Sequence, residues 1–286
     1  MACGLTNLAN AKLYLGIPES DSTKDDLLLM IIDQVENTVE RYCNRTFAST
    51  SYTKKRYNGK GSAILQFEDY PVTAISRIAT NTYGVFLLNN TSTDASHATV
   101  AVSTTGITLV IVGGVNAGTD TLLFADYTTL GTLDDAVVAL GKNWTATTSS
   151  GYIDKPATEL MPIEAQFVLN NSTTLEIPGN PISSYILDSN GGEVYYYAGF
   201  TSGYGNIIVD YTAGYAIIPY GLELAVLQLV AFSYNLSKRD PTLKSEELGD
   251  YSWTAASGGT SASVAYNIPI NMLADVLSPW QKTVVI

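Results

Sequence analysis

Apolar positions follow three different rhythms along the chain. The most apolar stretch runs from Pro219 to Asp240, where Leu222, Leu224, Ala225, Val226, Leu227, Leu229, Val230, Ala231 and Phe232 are interrupted by the strongly polar residues Glu223 and Gln228. Such a pattern predicts a helix that is buried on most sides. Pro219 suits its first position, Lys238 and Arg239 suit the negative end of its dipole, and Pro241 stops it. The apolar run is about nine residues, short of the roughly 17 to 25 that a membrane span requires.

The N-terminal region keeps the helical rhythm. Thr6 can cap a short helix carrying Leu8, Ala11 and Leu15, which Gly16 ends. A longer helix capped by Thr23, with Asp25 and Asp26 in its first turn, carries one apolar stripe of Leu28, Ile32, Val35, Val39 and Tyr42. Asp33, Glu36, Asn37, Glu40 and Arg41 fill the rest of its circumference and predict a wet or partner-facing side.

After Arg45 the period becomes two. Tyr52 to Tyr57, the turn Asn58-Gly59-Lys60-Gly61 and Ala63 to Phe67 read as a β-hairpin, and Val72, Ile75 and Ile78 begin another strand. The same code resumes at Asn206 to Thr212, so one sheet is interrupted by the stretch between. That stretch, 81–203, is rich in Thr, Gly, Ser and Asn and poor in Lys and Arg. In it, Thr99 to Val112 and Thr121 to Phe124 flank a glycine-rich turn. A small helix follows, capped by Thr132, with Asp134 and Asp135 in its first turn and Gly141 at its end. Strands are expected from Trp144 and over Ala165 to Leu169, Thr174 to Ile177, Ile182 to Leu187 and Glu193 to Tyr197. Towards the C-terminus, Ile270, Leu273, Ala274 and Leu277 suit a short helix broken by Pro279. The fold class that follows is α+β: a helical core with a small antiparallel β element in 1–80 and 204–286, and an inserted β-rich domain in 81–203.

Charge narrows the function. The chain of 286 residues has 27 acidic and 15 basic side chains, a formal charge of −12, which excludes a protein that coats nucleic acid. Cys3 and Cys43 lie far apart without metal-ligand spacing, and the N-terminus lacks the cationic and apolar regions of a secretory signal, so an origin in the cytosol is expected.

No arrangement carries catalytic chemistry. His97, the one histidine, has no nucleophile signature around it; Asp134 and Asp135 lack the rest of a calcium loop; Gly113-Gly114 lacks a phosphate-binding motif. No cofactor and no metal are expected. A hydrolase would have to draw on Asp154, Glu159 and Glu164, and Tyr195-Tyr196-Tyr197 suits strand propensity or a glycan or protein contact.

The segments LTNLANAKLYLGI, VERYCNRTF, FEDYPVTAISRI, VDYTAGYAIIPYGLELAVLQLVAFSYN and LKSEELGDYSW, taken in this order, resemble the phage head-to-tail connector family, the adaptor proteins of long-tailed bacteriophages. The resemblance covers about the first 80 residues and about 205 to 256, and leaves the insertion outside the pattern. It implies no catalysis. It implies an adaptor ring, usually a dodecamer, in the virion neck between capsid and tail, made in the host cytoplasm. The implied partners are the portal protein above, a stopper or tail-completion protein below, and other copies of itself. A tail-completion or tail-terminator protein is the alternative within the same structural class. On this reading Asp33, Glu36 and Glu40 are candidates for a subunit contact, and Trp280, Lys282, Val284, Val285 and Ile286 for a tail that docks on the portal. An acidic ring would line a lumen through which viral DNA passes without specific binding.

Overall fold

A computed structural model of the chain describes residues 4–238, 245–248, 251–254 and 270–281. The fold is α+β, with a short and a long helix at the start. Helix α1 (Leu8–Leu15) is capped by Asn7, whose side chain accepts from the Asn10 N–H, and closed by Gly16 in the left-handed conformation. Thr6 does not cap it, because its hydroxyl donates to Glu223 instead. Helix α2 (Asp25–Cys43) begins after Lys24 without a side-chain cap, since the Thr23 hydroxyl donates to Asp21.

The expected hairpin after Arg45 does not form. Strand β1 (Thr50–Gly59) pairs not with β2 (Ile64–Gln66) but with a strand from far down the chain. The Asn58-Gly59 pair that suggests a two-residue turn has a different task. Asn58 accepts from the Gly205 N–H at 2.6 Å, and the Gly59 N–H donates to Asn206 at 2.9 Å, so the pair binds a remote loop. A Cβ on Gly59 would lie 1.8 Å from the Thr201 carbonyl oxygen, which only glycine permits.

The longest element is β3 (Val72–Asn90), 19 residues that run without a break through position 81. Next come β4 (His97–Val102), β5 (Gly106–Val112) and β6 (Gly118–Leu123), antiparallel neighbours as the alternation predicts. Helix α3 (Leu130–Ala139) is capped by Thr129, with Thr132 bonding back to it from the third helical position. Asp134 therefore lies beyond the first turn, and accepts from the Thr148 N–H at 2.7 Å. Strand β7 (Trp144–Thr148) pairs with β3, and β8 (Ile163–Phe167) extends the β4–β6 sheet to four strands. Strand β9 (Thr173–Pro181) also lies along β3, while β10 (Ile186–Asp188) and β11 (Glu193–Tyr195) join β2 in a three-stranded sheet.

Strand β12 (Gly203–Ala213) then inserts between β1 and β3, which completes the interrupted sheet. Helix α4 (Tyr220–Ser237) follows directly after Pro219. The backbone of β13 (Ser245–Leu248) and β14 (Tyr251–Thr254) forms a hairpin, and α5 (Ile270–Leu277) is the last helix.

Three apolar clusters organise the described residues. The helical one joins Leu28, Ile32, Val35 and Val39 of α2 to Leu222, Val226 and Leu229 of α4 and to Leu273 and Leu277 of α5. A second, under the β1–β12–β3 sheet, contains Phe67, Ile78, Phe200 and Tyr211. The third fills the β4–β8 region around Val100, Leu109, Leu133 and Trp144. Strand β3 serves two of them: Val72 and Ile78 enter one, Val85, Phe86 and Leu88 the other.

Gly59→Ala should therefore lower the unfolding free energy by roughly 1–3 kcal/mol, the range for overpacking a closed site. Urea denaturation checks this, with Gly61→Ala as a comparison, since a Cβ there meets nothing closer than 3.9 Å but is strained by its φ of +74°.

Candidate assembly surfaces

The helical cluster is where the candidate contact residues lie, and the structure separates them. Asp33 is exposed on α2. Glu36 is fully buried. Its carboxylate accepts from the N–H groups of Gly4, Leu5 and Thr6 at 3.1, 2.7 and 3.0 Å, so it holds the segment before α1 against α2. Position 36 falls inside the apolar arc, four residues after Ile32 and three before Val39, which is the signal that places it inward. Glu36 is thus no part of an exposed face. Glu40 is half-buried, and accepts from the Phe47 N–H at 3.1 Å at the foot of the helix.

Glu223 does the corresponding work on α4. It accepts from the Thr6 hydroxyl and from the Asn10 amide at 2.6 Å, which ties α1 to α4. Lys12, itself buried, meets Asp25 at 2.6 Å and ties α1 to α2. Three carboxylates and a lysine thus fix the segment 4–15 on two helices.

At its N-terminal end α2 exposes apolar side chains beside Asp26. Leu27 and Leu29 are exposed and Met30 is 70% so, whereas the following surface positions, Asp33, Gln34 and Asn37, are polar. On α1, Leu13 is 80% exposed and Tyr14 lies open beside it. Exposed large apolar side chains of this kind are candidates for a contact surface. Helix α4 is buried along Leu222, Ala225, Val226, Leu229 and Val230, but leaves Leu224 and Tyr220 to solvent, so it is enclosed on one side rather than all round.

Trp280 is placed against its own chain. Its ring meets Tyr215 edge-on with centroids 6.4 Å apart, and lies over Gly221, the second residue of α4. It is half-buried in the helical cluster rather than held out at the end of a tail. Lys282, Val284, Val285 and Ile286 lie outside the described residues.

Two polar groups join β1 to its surroundings. Lys54, in the left-handed conformation, donates from its backbone N–H to Asp210 and from Nζ to the carbonyls of Thr158 and Leu160. Arg77 on β3 meets Asp210 at 2.6 Å and also pairs with Glu159. Burial pushes the Lys54 ammonium below its ordinary value, which Glu159 and Asp210 oppose. Glu159 is therefore spoken for, and Asp154 and Glu164 are exposed. Among the described residues no group of three or more His, Cys, Asp or Glu is arranged to hold a metal. His97 sits at the start of β4 beside the Phe167 ring.

Farther along β1, the hydroxyls of Tyr57 and Tyr211 share a buried hydrogen bond of 2.7 Å. Burial pushes both phenols well above their ordinary value; their mutual bond raises Tyr57 further and opposes the rise at Tyr211. For Lys55, burial alone would lower the ammonium, but hydrogen bonds to Glu68 and Asp69 outweigh it and raise it. Burial also pushes the Cys43 thiol up to about 11.

Residues 6–109 match the model of the phage gp6-like head-tail connector proteins. Over these residues, which are less than half of the chain, it is similar to the phage head-tail connector family. A comparison with curated proteins found no match. Two solved structures are similar, one described as the neck of an empty GTA particle computed with C6 symmetry, the other as the virion of a native gene transfer agent particle. They are 13% and 11% identical to this chain, and each alignment covers 99% of it and 93% of the other chain, with a TM-score of 0.34. A likeness of that degree fixes neither fold nor assembly.

Two outcomes follow. Glu36→Ala strands three N–H donors and should destabilise the fold by about 3 kcal/mol, the sum of a charge-assisted bond and the desolvated groups left behind. Glu36→Gln, which keeps one acceptor, should lose less; chemical denaturation with proteolysis at the N-terminus measures both. The second outcome concerns pH. Tyr57, Tyr211, Lys55 and Cys43 all have raised values in the folded chain, so each favours folding below its unfolded value. That contribution is lost as pH rises, first for Cys43 above its ordinary 9.0 and then for both tyrosines above 10.0. Unfolding free energy should fall through this alkaline range, and Tyr57→Phe should reduce the slope.

Proposed function

We propose that this protein is a head-to-tail adaptor of the virion neck, a structural protein that forms a ring beneath the portal and links it to the stopper or tail-completion protein. The observation that carries the reading is the family match over residues 6–109, which takes in all of α1 and α2 and the first strands of the sheet. The ring is most simply a dodecamer. Neighbours meet through the apolar end of α2, with Leu27, Leu29 and Met30, together with Leu13 and Tyr14 of α1; Asp33 lies at the polar border of this patch. Viral DNA passes through the lumen without being held, because a ring of chains each carrying −12 repels a phosphate backbone.

Residues 1–80 and 204–286 form the connector core on this reading, and 81–203 form an inserted lobe that projects from the ring. The C-terminal arm beyond Trp280 reaches the portal. Trp280 sets where it departs, by fixing the chain on Tyr215 and the start of α4. Lys282 and Val284 to Ile286 then supply the docking contacts. No helix among the described residues is long and apolar enough to cross a membrane, and no step of this function calls for one.

Light scattering of the full chain with its cognate portal tests the reading. The wild-type chain should give a complex of ring size, and Met30→Asp should lose it while keeping a wild-type circular dichroism spectrum, since Met30 is 70% exposed. A ring that survives Met30→Asp removes α2 from the interface. A wild-type chain that ignores the portal yet binds a tail protein points to the tail-completion reading.

A further inference from the structure

The four-stranded sheet runs in the order β6-β5-β4-β8, so β6 and β8 are its two edges. Each presents outward-facing backbone groups, of which the Leu123 carbonyl accepts from the Asp126 and Tyr127 N–H groups and the Phe167 carbonyl from the Asn171 side chain, so the open groups lie towards the middle of each edge. The Phe124 N–H bonds to the Thr105 carbonyl in register with β5–β6, and in an antiparallel pair inward and outward residues alternate. Thr119, Thr121 and Leu123 therefore point their N–H and C=O groups away from β5. On the other side the Val168 N–H bonds to Ala98, in register with the Phe167 and Gln166 pairs of β4–β8, which turns the backbone of Phe167 outward, while Ala165 lies at the register shift between the Val100 and Val102 pairs. All five residues are exposed.

Edge strands are normally guarded by lysines, prolines or inward charges. Neither GTDTLL nor IEAQF contains a lysine or proline. The one acid in β6, Asp120, is neutralised by Lys142 at 2.8 Å, which leaves Glu164 as the one uncompensated charge on either edge. The surrounding sequence is equally bare: from Asn81 to Phe124 the Asp, Glu, Lys and Arg residues are Asp94 and Asp120 alone. Copies of a chain carrying −12 repel one another least where such charge is missing.

We propose that β6 of one copy pairs with β8 of the next, so that the inserted sheets of the ring join edge to edge into a continuous belt. The inference rests on the ring reading above. The two edges are different surfaces of one chain and similar in length, six and five residues, so the contact is heterologous and repeats from copy to copy until it closes. Backbone bonds supply the attraction, as when an extended segment adds to a sheet edge. Alternate Thr, Leu, Ala and Phe side chains supply the fit.

The test is cross-linking in trans. In a full-length Cys3→Ser background, Thr121→Cys and Ala165→Cys are made separately and together, mixed with portal, and treated with a short bis-maleimide. Cys43 is buried, with its thiol pushed up to about 11, and stays silent. The double variant should give a ladder of covalent multimers, the mixture of the two single variants should give dimers, and each single variant alone should give neither. Cross-links within either single variant would overturn the heterologous pairing, and so would a double variant without a ladder. Light scattering of that same sample separates the failures: a ring without a ladder removes the belt alone, while no ring removes the adaptor reading with it.

Discussion

Strand β3 is the constraint on which the rest of this structure depends. Its first half pairs with β12 and contributes to the core beneath the β1–β12–β3 sheet; its second half pairs with β7 and β9 and contributes to the core of the β4–β8 region. A single extended backbone cannot bend freely between two packed cores, so the β4–β8 region is joined to the β1–β12–β3 sheet through continuous hydrogen bonding rather than by a loose linker. Lys54, Arg77, Asp210 and Glu159 reinforce that junction from the side, since they bind the 158–160 segment to β1, β3 and β12.

The helical end is held by a different device. Packing of α2 on α4 and α5 supplies the apolar core, but the segment before α1 has backbone donors that no helix or strand satisfies. Glu36 meets that need from inside the core, and Glu223 and Lys12 hold α1 in place. A buried carboxylate is stable there because it is fully engaged by N–H groups. The N-terminal end of α2 is left with Leu27, Leu29 and Met30 exposed among the described residues.

Much of this was legible in the residues, and the failures have a common cause. Helices α1, α2, α4 and α5, strand β12 and the β5–β6 hairpin follow from periodicity and from local signals such as Gly16 and Pro219. The misreadings concern partners distant in sequence. Asn58-Gly59 has the composition of a tight turn, but its bonds run to residues 205 and 206. Glu36 has the polarity of a surface residue, but its partners are residues 4 to 6. Trp280 has the character of an interface anchor, and the nearest aromatic face turns out to be Tyr215 of its own chain. Local propensity carries no information on such long-range contacts. The exposed apolar residues of α2 were missed for the opposite reason: Leu27 and Leu29 flank the buried stripe and Met30 lies opposite it, and exposure cannot be told from hydrophobicity alone.

The central claim is that many copies of this chain form a closed ring on the portal. Electron microscopy of the full chain bound to portal particles tests it most directly. The account predicts a symmetric ring of added density on the tail-facing side, with a central channel and lobes arising from residues 81–203. Single copies scattered on the portal, or density without rotational symmetry, would contradict it.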